Sequence, residues 1–151
     1  MVWNELLANR PLLAGLLALW LAQFLKVPID YWVNRRWNWN MWFSMGGMPS
    51  SHAALMVATT LSVGLYYGFD HPVFALGVAI TMIVLYDAAG VRRQAGVHAQ
   101  KLNVLLQELF SGQPLSQERL KEMLGHTPRQ VAVGSLLGAA IALGMWWLWR
   151  P

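Results

Sequence analysis

Four long apolar runs constrain the fold of this 151-residue chain more than any other feature of its sequence. They cover residues 12–25, 53–67, 73–86 and 131–148. With its flanking turns, the first run reaches the ~20 residues that a helix needs to cross a bilayer. Period-2 alternation of apolar and polar residues is absent, so we expect no sheet. The sequence predicts an all-α membrane helix bundle of about four spans with short cytoplasmic helices, formed by one domain over residues 1–151.

The composition agrees with a membrane protein. Charged residues make up 12% of the chain, about half of the roughly 25% found in soluble proteins. The chain has nine Trp and no Cys, which favours interfacial anchoring and excludes disulfides and thiolate metal sites. We expect no cofactor and no metal ion. The first apolar run lacks a following small-residue cleavage site, so we expect it to be retained as a span.

The basic residues are distributed unevenly between the two sides that four spans define. The 26–48 and 87–129 connections fall on one side, and the termini and the 68–72 turn fall on the other. The first side carries nine Lys or Arg residues and the second carries two: Lys26, Arg35, Arg36, Arg92, Arg93, Lys101, Arg119, Lys121 and Arg129 against Arg10 and Arg150. This bias predicts an inner or plasma membrane protein whose active face is cytoplasmic. Because the cations mark span ends rather than one long face, we expect no nucleic-acid partner.

Two polar connections have patterns of their own. Trp37, Trp39 and Trp42 alternate with polar residues in the first, which predicts a segment lying at headgroup depth. In the second, leucines recur at helical spacing over residues 101–110 and predict an amphipathic helix. A shorter helix is predicted to begin after Ser116, which is placed to cap it.

The stretch Gly46-Gly47-Met48-Pro49-Ser50-Ser51-His52 predicts an anion site at a helix start. Two glycines let the backbone turn and approach a ligand closely. Pro49 fits the first turn of a helix, and Ser50 and Ser51 can cap that helix. Such a helix start offers free N–H groups, hydroxyls and the His52 imidazole to an anion, and phosphate is the anion we expect.

Other residues at the same predicted face suit phosphoryl transfer. This reaction needs cations around the phosphate oxygens, a nucleophile and an acid for the leaving oxygen. The side chains that could supply them are Lys26, Arg92 and Arg93 as cations, Ser50 and Ser51 as donors, His52 and His98 as acid and nucleophile, and Asp87 to orient a His or an Arg.

The same residues carry a resemblance to a known superfamily. Pro-Ser-Ser-His at 49–52 resembles the Pro-Ser-Gly-His motif of the type 2 phosphatidic acid phosphatases and vanadium haloperoxidases. Arg92 followed by His98 resembles their third motif. Residues 46–52, Asp-Ala-Ala-Gly-Val-Arg-Arg at 87–93 and Leu-Gly-His-Thr-Pro at 124–128 are similar to the small divergent branch of that superfamily. The similarity extends from about residue 5 to residue 149.

The resemblance implies an all-helical membrane enzyme that hydrolyses a lipid phosphate or diphosphate through a phosphohistidine without metal. It implies that Lys26 and Arg92 bind phosphate, that Ser50 and Ser51 hydrogen-bond its oxygens, and that His52 protonates the leaving group. His98 matches the nucleophile, and His126, within the 124–128 motif, is the alternative nucleophile or base. The expected substrate is of the phosphatidate, phosphatidylglycerophosphate or isoprenyl diphosphate type.

Two other hypotheses remain open on the sequence. Leu102 stands where the superfamily has an Asp, which favours a non-catalytic protein that binds a lipid headgroup or phosphate in a degenerate pocket. Gly134, Gly138 and Gly144 give the last span faces for close helix packing. These faces suggest a homo-oligomer, or a small transport or assembly subunit.

Overall fold

The computed structural model describes residues 2–35, 37–44, 46–109 and 126–149, and within these ranges it contains helices and no strand. The helices are α1 (Val2–Ala8), α2 (Arg10–Asn34), α3 (Ser51–Tyr67), α4 (Pro72–Ala89), α5 (Val91–Leu109) and α6 (Pro128–Leu148), with a 3₁₀ segment at Trp39–Phe43. The predicted all-α class is confirmed. The short helix α1 was not expected from the sequence, and the helix predicted after Ser116 lies outside the described residues.

Three stretches of the described chain are long and apolar enough to cross a membrane: α2, α6 and residues 72–106, which begin with α4. The fourth predicted span, α3, has 17 residues. It rises about 25 Å, which is less than the ~30 Å hydrocarbon core. Because α3 packs against α2, α4 and α6, this short helix lies at the centre of the bundle with protein around it.

Small residues let α3 approach its neighbours closely. Ala14, Ala18 and Ala22 of α2 are fully buried against Ala54 and Ala58 of α3. On the other side, a Cβ on Gly134 of α6 would lie 2.3 Å from the Ser50 carbonyl oxygen, and one on Gly138 would lie 2.4 Å from that of Ala54. Gly134 and Gly138, two of the three glycines that suggested oligomerisation, therefore serve packing within one chain, whereas a Cβ on Gly144 would meet no described atom within 4 Å.

Contacts at the two ends of the bundle show which helix ends lie together. At one end the Arg10 guanidinium lies 4.9 Å from the ring centroid of Trp149, and the Tyr66 hydroxyl donates to the Met145 carbonyl at 3.1 Å. At the other end Ala53, Ala88 and Val131 form a buried cluster. The start of α3, the end of α4 and the start of α6 therefore meet at one end, as the predicted alternation of spans requires.

The extent of α2 differs from the prediction. The sequence predicts a first span that closes at Lys26, but α2 continues to Asn34 with Pro28 inside it. Arg35, in the left-handed region at φ 55°, ends the helix, and its N–H donates to the Tyr31 carbonyl at 2.9 Å. Lys26 consequently lies in the body of a helix rather than at its end.

Aromatic contacts hold the Trp-rich connection against α2. Neighbouring ring centroids lie between 5.1 and 6.2 Å apart along the series Tyr31, Trp37, Trp39, Trp42, Phe24 and Trp20. The Gln23 amide also donates to the Trp42 carbonyl. This series fixes the 3₁₀ segment on the half of α2 that carries Lys26, so the connection covers that part of the helix.

Candidate active site

Lys26 is the most buried cation of the described chain. Its exposed fraction is 1%, and its ammonium donates to the Ser44 carbonyl at 2.7 Å. A neutral carbonyl does not compensate a buried charge as an anion does. The predicted phosphate-binding lysine is therefore fixed in place with a partner that an anion would outcompete.

The loop that covers Lys26 depends on glycine. Gly46 donates its N–H to the Ser44 hydroxyl at 3.1 Å. Gly47 has φ +86°, and a Cβ there would lie 2.6 Å from the Met41 methyl and 3.9 Å from the Lys26 Cδ. A side chain at position 47 would be strained by this backbone conformation, whereas the Met41 methyl lies at the end of a flexible side chain that can move aside. The loop thus passes directly over Lys26 before it enters α3.

Ser50 caps α3 as the sequence predicts, but Pro49 lies before this cap and not in the first turn of the helix. The Ser50 hydroxyl accepts from the Ala53 N–H at 3.4 Å, and the Ser50 N–H donates to the Gln130 carbonyl at 3.1 Å. Ser50 is fully buried, and Ser51, the first helical residue, is 4% exposed. The capping role of Ser50 is confirmed, and these contacts also tie the start of α3 to α6. The donation of either hydroxyl to phosphate stays a prediction.

His126 lies immediately before α6 and is 5% exposed. Its Nδ1 is 3.3 Å from the Gln130 side-chain oxygen, and its Nε2 is buried without a hydrogen-bond partner among the described atoms. The same Gln130 oxygen accepts from the Thr127 N–H at 2.9 Å. Thr127 and Gln130 thereby form a capping box at the start of α6, and the Gln130 oxygen is the atom of this box that contacts the imidazole.

The environment of His126 favours the neutral imidazole. Burial lowers the pKa of His126 below its ordinary value of 6.5, and the charges of Lys26 and His52 lower this pKa further. The hydrogen bond to Gln130 and the backbone of Gly47 act in the opposite direction but do not outweigh burial. These interactions also bring Lys26 from α2, the Gly47 loop and His52 from α3 into the electrostatic environment of one imidazole.

The other predicted site residues are placed differently. His52 is exposed in the first turn of α3, and Asp87 is half-buried in the last turn of α4 beside the Ala53–Ala88–Val131 cluster. Both lie at the same end of the bundle as Lys26 and His126. His98 and Arg93 are exposed on α5, which packs against α4 alone among the described elements. The Arg92 side chain lies outside what the structure describes.

Sequence reasoning missed Ser44 and Gln130. Ser44 contributes a backbone carbonyl, which no side-chain pattern indicates. Gln130 was detectable, because Thr127-x-x-Gln130 has the spacing of a capping box at a helix start. Together with Lys26 and His126, these residues lie at one end of the bundle, where one fixed cation and one imidazole nitrogen are the groups that an anion would meet.

A family model described as "Divergent PAP2 family" matches residues 7–141. The chain belongs to the Divergent PAP2 family. This match confirms the resemblance and indicates that the chain is a phosphatase-related membrane protein. The match includes Lys26, the Gly46–His52 loop, Arg92, His98 and His126, so the family relation covers every element that builds the site.

A relative from Bacillus subtilis (strain 168), the "Uncharacterized membrane protein YuiD", is 39% identical over 150 residues. The aligned region covers 92% of this chain and 95% of the relative. That relative is described as a membrane protein, which agrees with the apolar helices of this chain. No solved structure matches the chain.

Proposed function

We propose that this Divergent PAP2 protein is a membrane phosphatase that hydrolyses a phosphate or diphosphate monoester of a lipid without metal, through a phosphohistidine at His126. The substrate would be of the phosphatidate, phosphatidylglycerophosphate or isoprenyl diphosphate type. The observation that carries the proposal is that a buried Lys26 ammonium acts electrostatically on the buried His126 imidazole, whose Nε2 has no hydrogen-bond partner among the described atoms.

In the proposed reaction the phosphate oxygens replace the Ser44 carbonyl at the Lys26 ammonium, because charge-assisted hydrogen bonds are the stronger ones. The Nε2 lone pair of His126 attacks phosphorus, and the bond from phosphorus to the lipid oxygen breaks. The leaving oxygen takes a proton from protonated His52, which is exposed and exchanges protons with water. Lys26 stabilises the charge that gathers on the phosphoryl oxygens.

A water molecule then completes the turnover. Neutral His52 takes a proton from this water as its oxygen attacks the phosphohistidine, and the bond between phosphorus and Nε2 breaks. The products are phosphate and the neutral imidazole of His126, and His52 is again protonated. In this scheme Arg92, Arg93, Ser50 and Ser51 bind phosphate, and Asp87 orients a cation or an imidazole at the same end of the bundle.

The test uses the purified chain in lipid vesicles with EDTA present, and phosphate release is measured from the three candidate substrates. We expect His126→Gln to lower the rate about 10³-fold or more, as the loss of a nucleophile does, and Lys26→Met to weaken binding and turnover together. His71→Asn is the matched control, because His71 caps α4 at the opposite end and Asn preserves a cap.

An alkaline quench followed by ³¹P NMR tests the intermediate. Wild-type protein should carry a phosphohistidine that His126→Gln lacks, and His98→Asn should retain it. Loss of the intermediate in His98→Asn with retention in His126→Gln would place the nucleophile on α5 and refute the assignment. Circular dichroism of each variant separates loss of chemistry from loss of fold.

Non-catalytic binding of a lipid headgroup is the second candidate. The observation that favours it is the closure of the site. Lys26 is 1% exposed and His126 is 5% exposed, and the Lys26 ammonium already donates a hydrogen bond to the Ser44 carbonyl. This function predicts headgroup binding that Lys26→Met abolishes, with no phosphate release across a full pH range. A trapped phosphoenzyme would exclude it.

A further inference from the structure

The side-chain amide of Gln130 has a defined orientation. A backbone N–H is always a donor, so the Gln130 atom that faces the Thr127 N–H at 2.9 Å is the oxygen and not the amide nitrogen. This assignment follows from chemistry, since the two amide atoms are otherwise hard to distinguish. The oxygen is therefore the Gln130 atom that faces His126.

The orientation of this amide determines the tautomer of His126. The Nδ1 of His126 lies 3.3 Å from the same oxygen, and an oxygen can only accept, so Nδ1 carries the proton. In a neutral imidazole the other nitrogen then holds the lone pair. The lone pair of His126 is thereby placed on Nε2, the atom that is buried without a hydrogen-bond partner among the described residues.

The main chain of Gln130 is fixed as firmly as its side chain. Its N–H donates to the Thr127 hydroxyl at 3.4 Å, and its carbonyl accepts from Ser50 at 3.1 Å. Gln130 thus links the start of α6, the His126 ring and the loop that leads into α3. A shift of this residue would move the imidazole and the Ser50 region together.

We propose that Gln130 is a positioning residue that holds His126 in the Nδ1–H tautomer and directs the Nε2 lone pair toward the bound phosphate. The catalytic part of this inference rests on the proposed function, whereas the tautomer does not. A neutral amide suits the task, because it accepts a hydrogen bond from the imidazole without adding a charge to a buried site. Gln130 also keeps the nucleophile in one orientation between turnovers.

NMR of ¹⁵N-histidine-labelled protein measures the tautomer directly. We expect the His126 Nε2 resonance in the range of an unprotonated ring nitrogen and the Nδ1 resonance in the range of a protonated one. Gln130→Met removes the acceptor and should move both resonances toward tautomer averaging. Thr127→Ala is the matched control, because it breaks the other half of the capping box and leaves the backbone N–H that orients Gln130.

Activity then links the tautomer to the reaction. Gln130→Met should lower kcat about 10²-fold with little change in KM, as small misplacements of reacting groups do, whereas Thr127→Ala should retain most of kcat. Gln130→Glu keeps an acceptor oxygen, so it should preserve the tautomer and move the pH optimum upward, since a nearby carboxylate favours the protonated imidazole.

Three results would decide the matter. A protonated Nε2 in the wild type overturns the inference, and so does a Gln130→Met variant with wild-type resonances and wild-type kcat. If the expected tautomer is present and lost in Gln130→Met while the wild type releases no phosphate, the positioning of His126 by Gln130 stands and the proposed hydrolysis is what fails.

Discussion

Replacing Gly134 by Ala should separate α3 from α6 and disturb the site without touching a charged or titratable group. The new Cβ would lie 2.3 Å from the Ser50 carbonyl oxygen and 3.1 Å from its carbonyl carbon and its nitrogen. These are backbone atoms at a helix start, so no flexible side chain can move aside. Ordinary contact begins near 3.4 Å, and the two helices must therefore part by about 1 Å.

The energetic cost follows from two opposing terms. Overpacking of a close helix contact costs about 1–3 kcal/mol or more, and Ala in place of Gly in a helix recovers up to about 1 kcal/mol. Gly144 provides the matched control, because a Cβ there has no neighbour within 4 Å among the described residues. Gly144→Ala should therefore be neutral or slightly stabilising, whereas Gly134→Ala should lose stability by about 1–2 kcal/mol.

Thermal unfolding of both variants in the same detergent, followed by circular dichroism, measures the difference. Gly134→Ala should also lower phosphate release, because the displaced Ser50 carries the hydrogen bond to Gln130. Equal unfolding temperatures for the two variants would refute the close crossing of α3 and α6. If Gly134→Ala loses stability but keeps its activity, the close packing of α3 and α6 is not needed for the site to function.

Two further predictions concern the buried cation and the imidazole. Inorganic phosphate or vanadate should stabilise the wild type by about 2.7 kcal/mol at 100 times its Kd and should leave Lys26→Met unaffected; equal stabilisation of both in a thermal shift assay would move the anion site elsewhere. Because burial lowers the pKa of His126 below 6.5, the unfolded chain takes up a proton first as the pH falls, so stability should decline below about pH 6.5. His126→Gln should reduce that decline, and an unchanged pH dependence of unfolding would contradict the neutral buried imidazole.

Hydropathy predicts most of this fold because each apolar run has to become a helix in a bilayer. The four runs, their order and the end at which their polar connections meet all follow from that requirement. The extent of α2 does not follow from hydropathy. Lys26, Pro28 and Asp30 resemble the end of a span by composition, whereas aromatic contacts with the Trp-rich connection hold the helix to Asn34.

The same distinction applies to the candidate site: residues whose place is set by the local sequence could be predicted, and residues whose place is set by helix packing could not. Ser50 and His52 were predicted from a motif at a helix start, and the structure places both at that start. The roles of Arg92 and His98 stay predictions that rest on the motif alone. His98 lies exposed on α5, which packs against α4 alone among the described elements. The position of His126 depends on how α6 packs against α3, and this packing cannot be predicted from the spacing of residues along the chain.

The burial of Lys26 and the neutral state of His126 belong together. A lysine at the end of a span extends its ammonium to the interface. Lys26 cannot do so, because α2 continues for two more turns and the Gly46–Gly47 loop covers it. Burial is the largest cause of the lowered pKa of His126, and the charge of Lys26 lowers this pKa further. In the proposed phosphohistidine mechanism this fixed cation would act twice: it would attract the phosphate, and together with burial it would keep the attacking imidazole unprotonated.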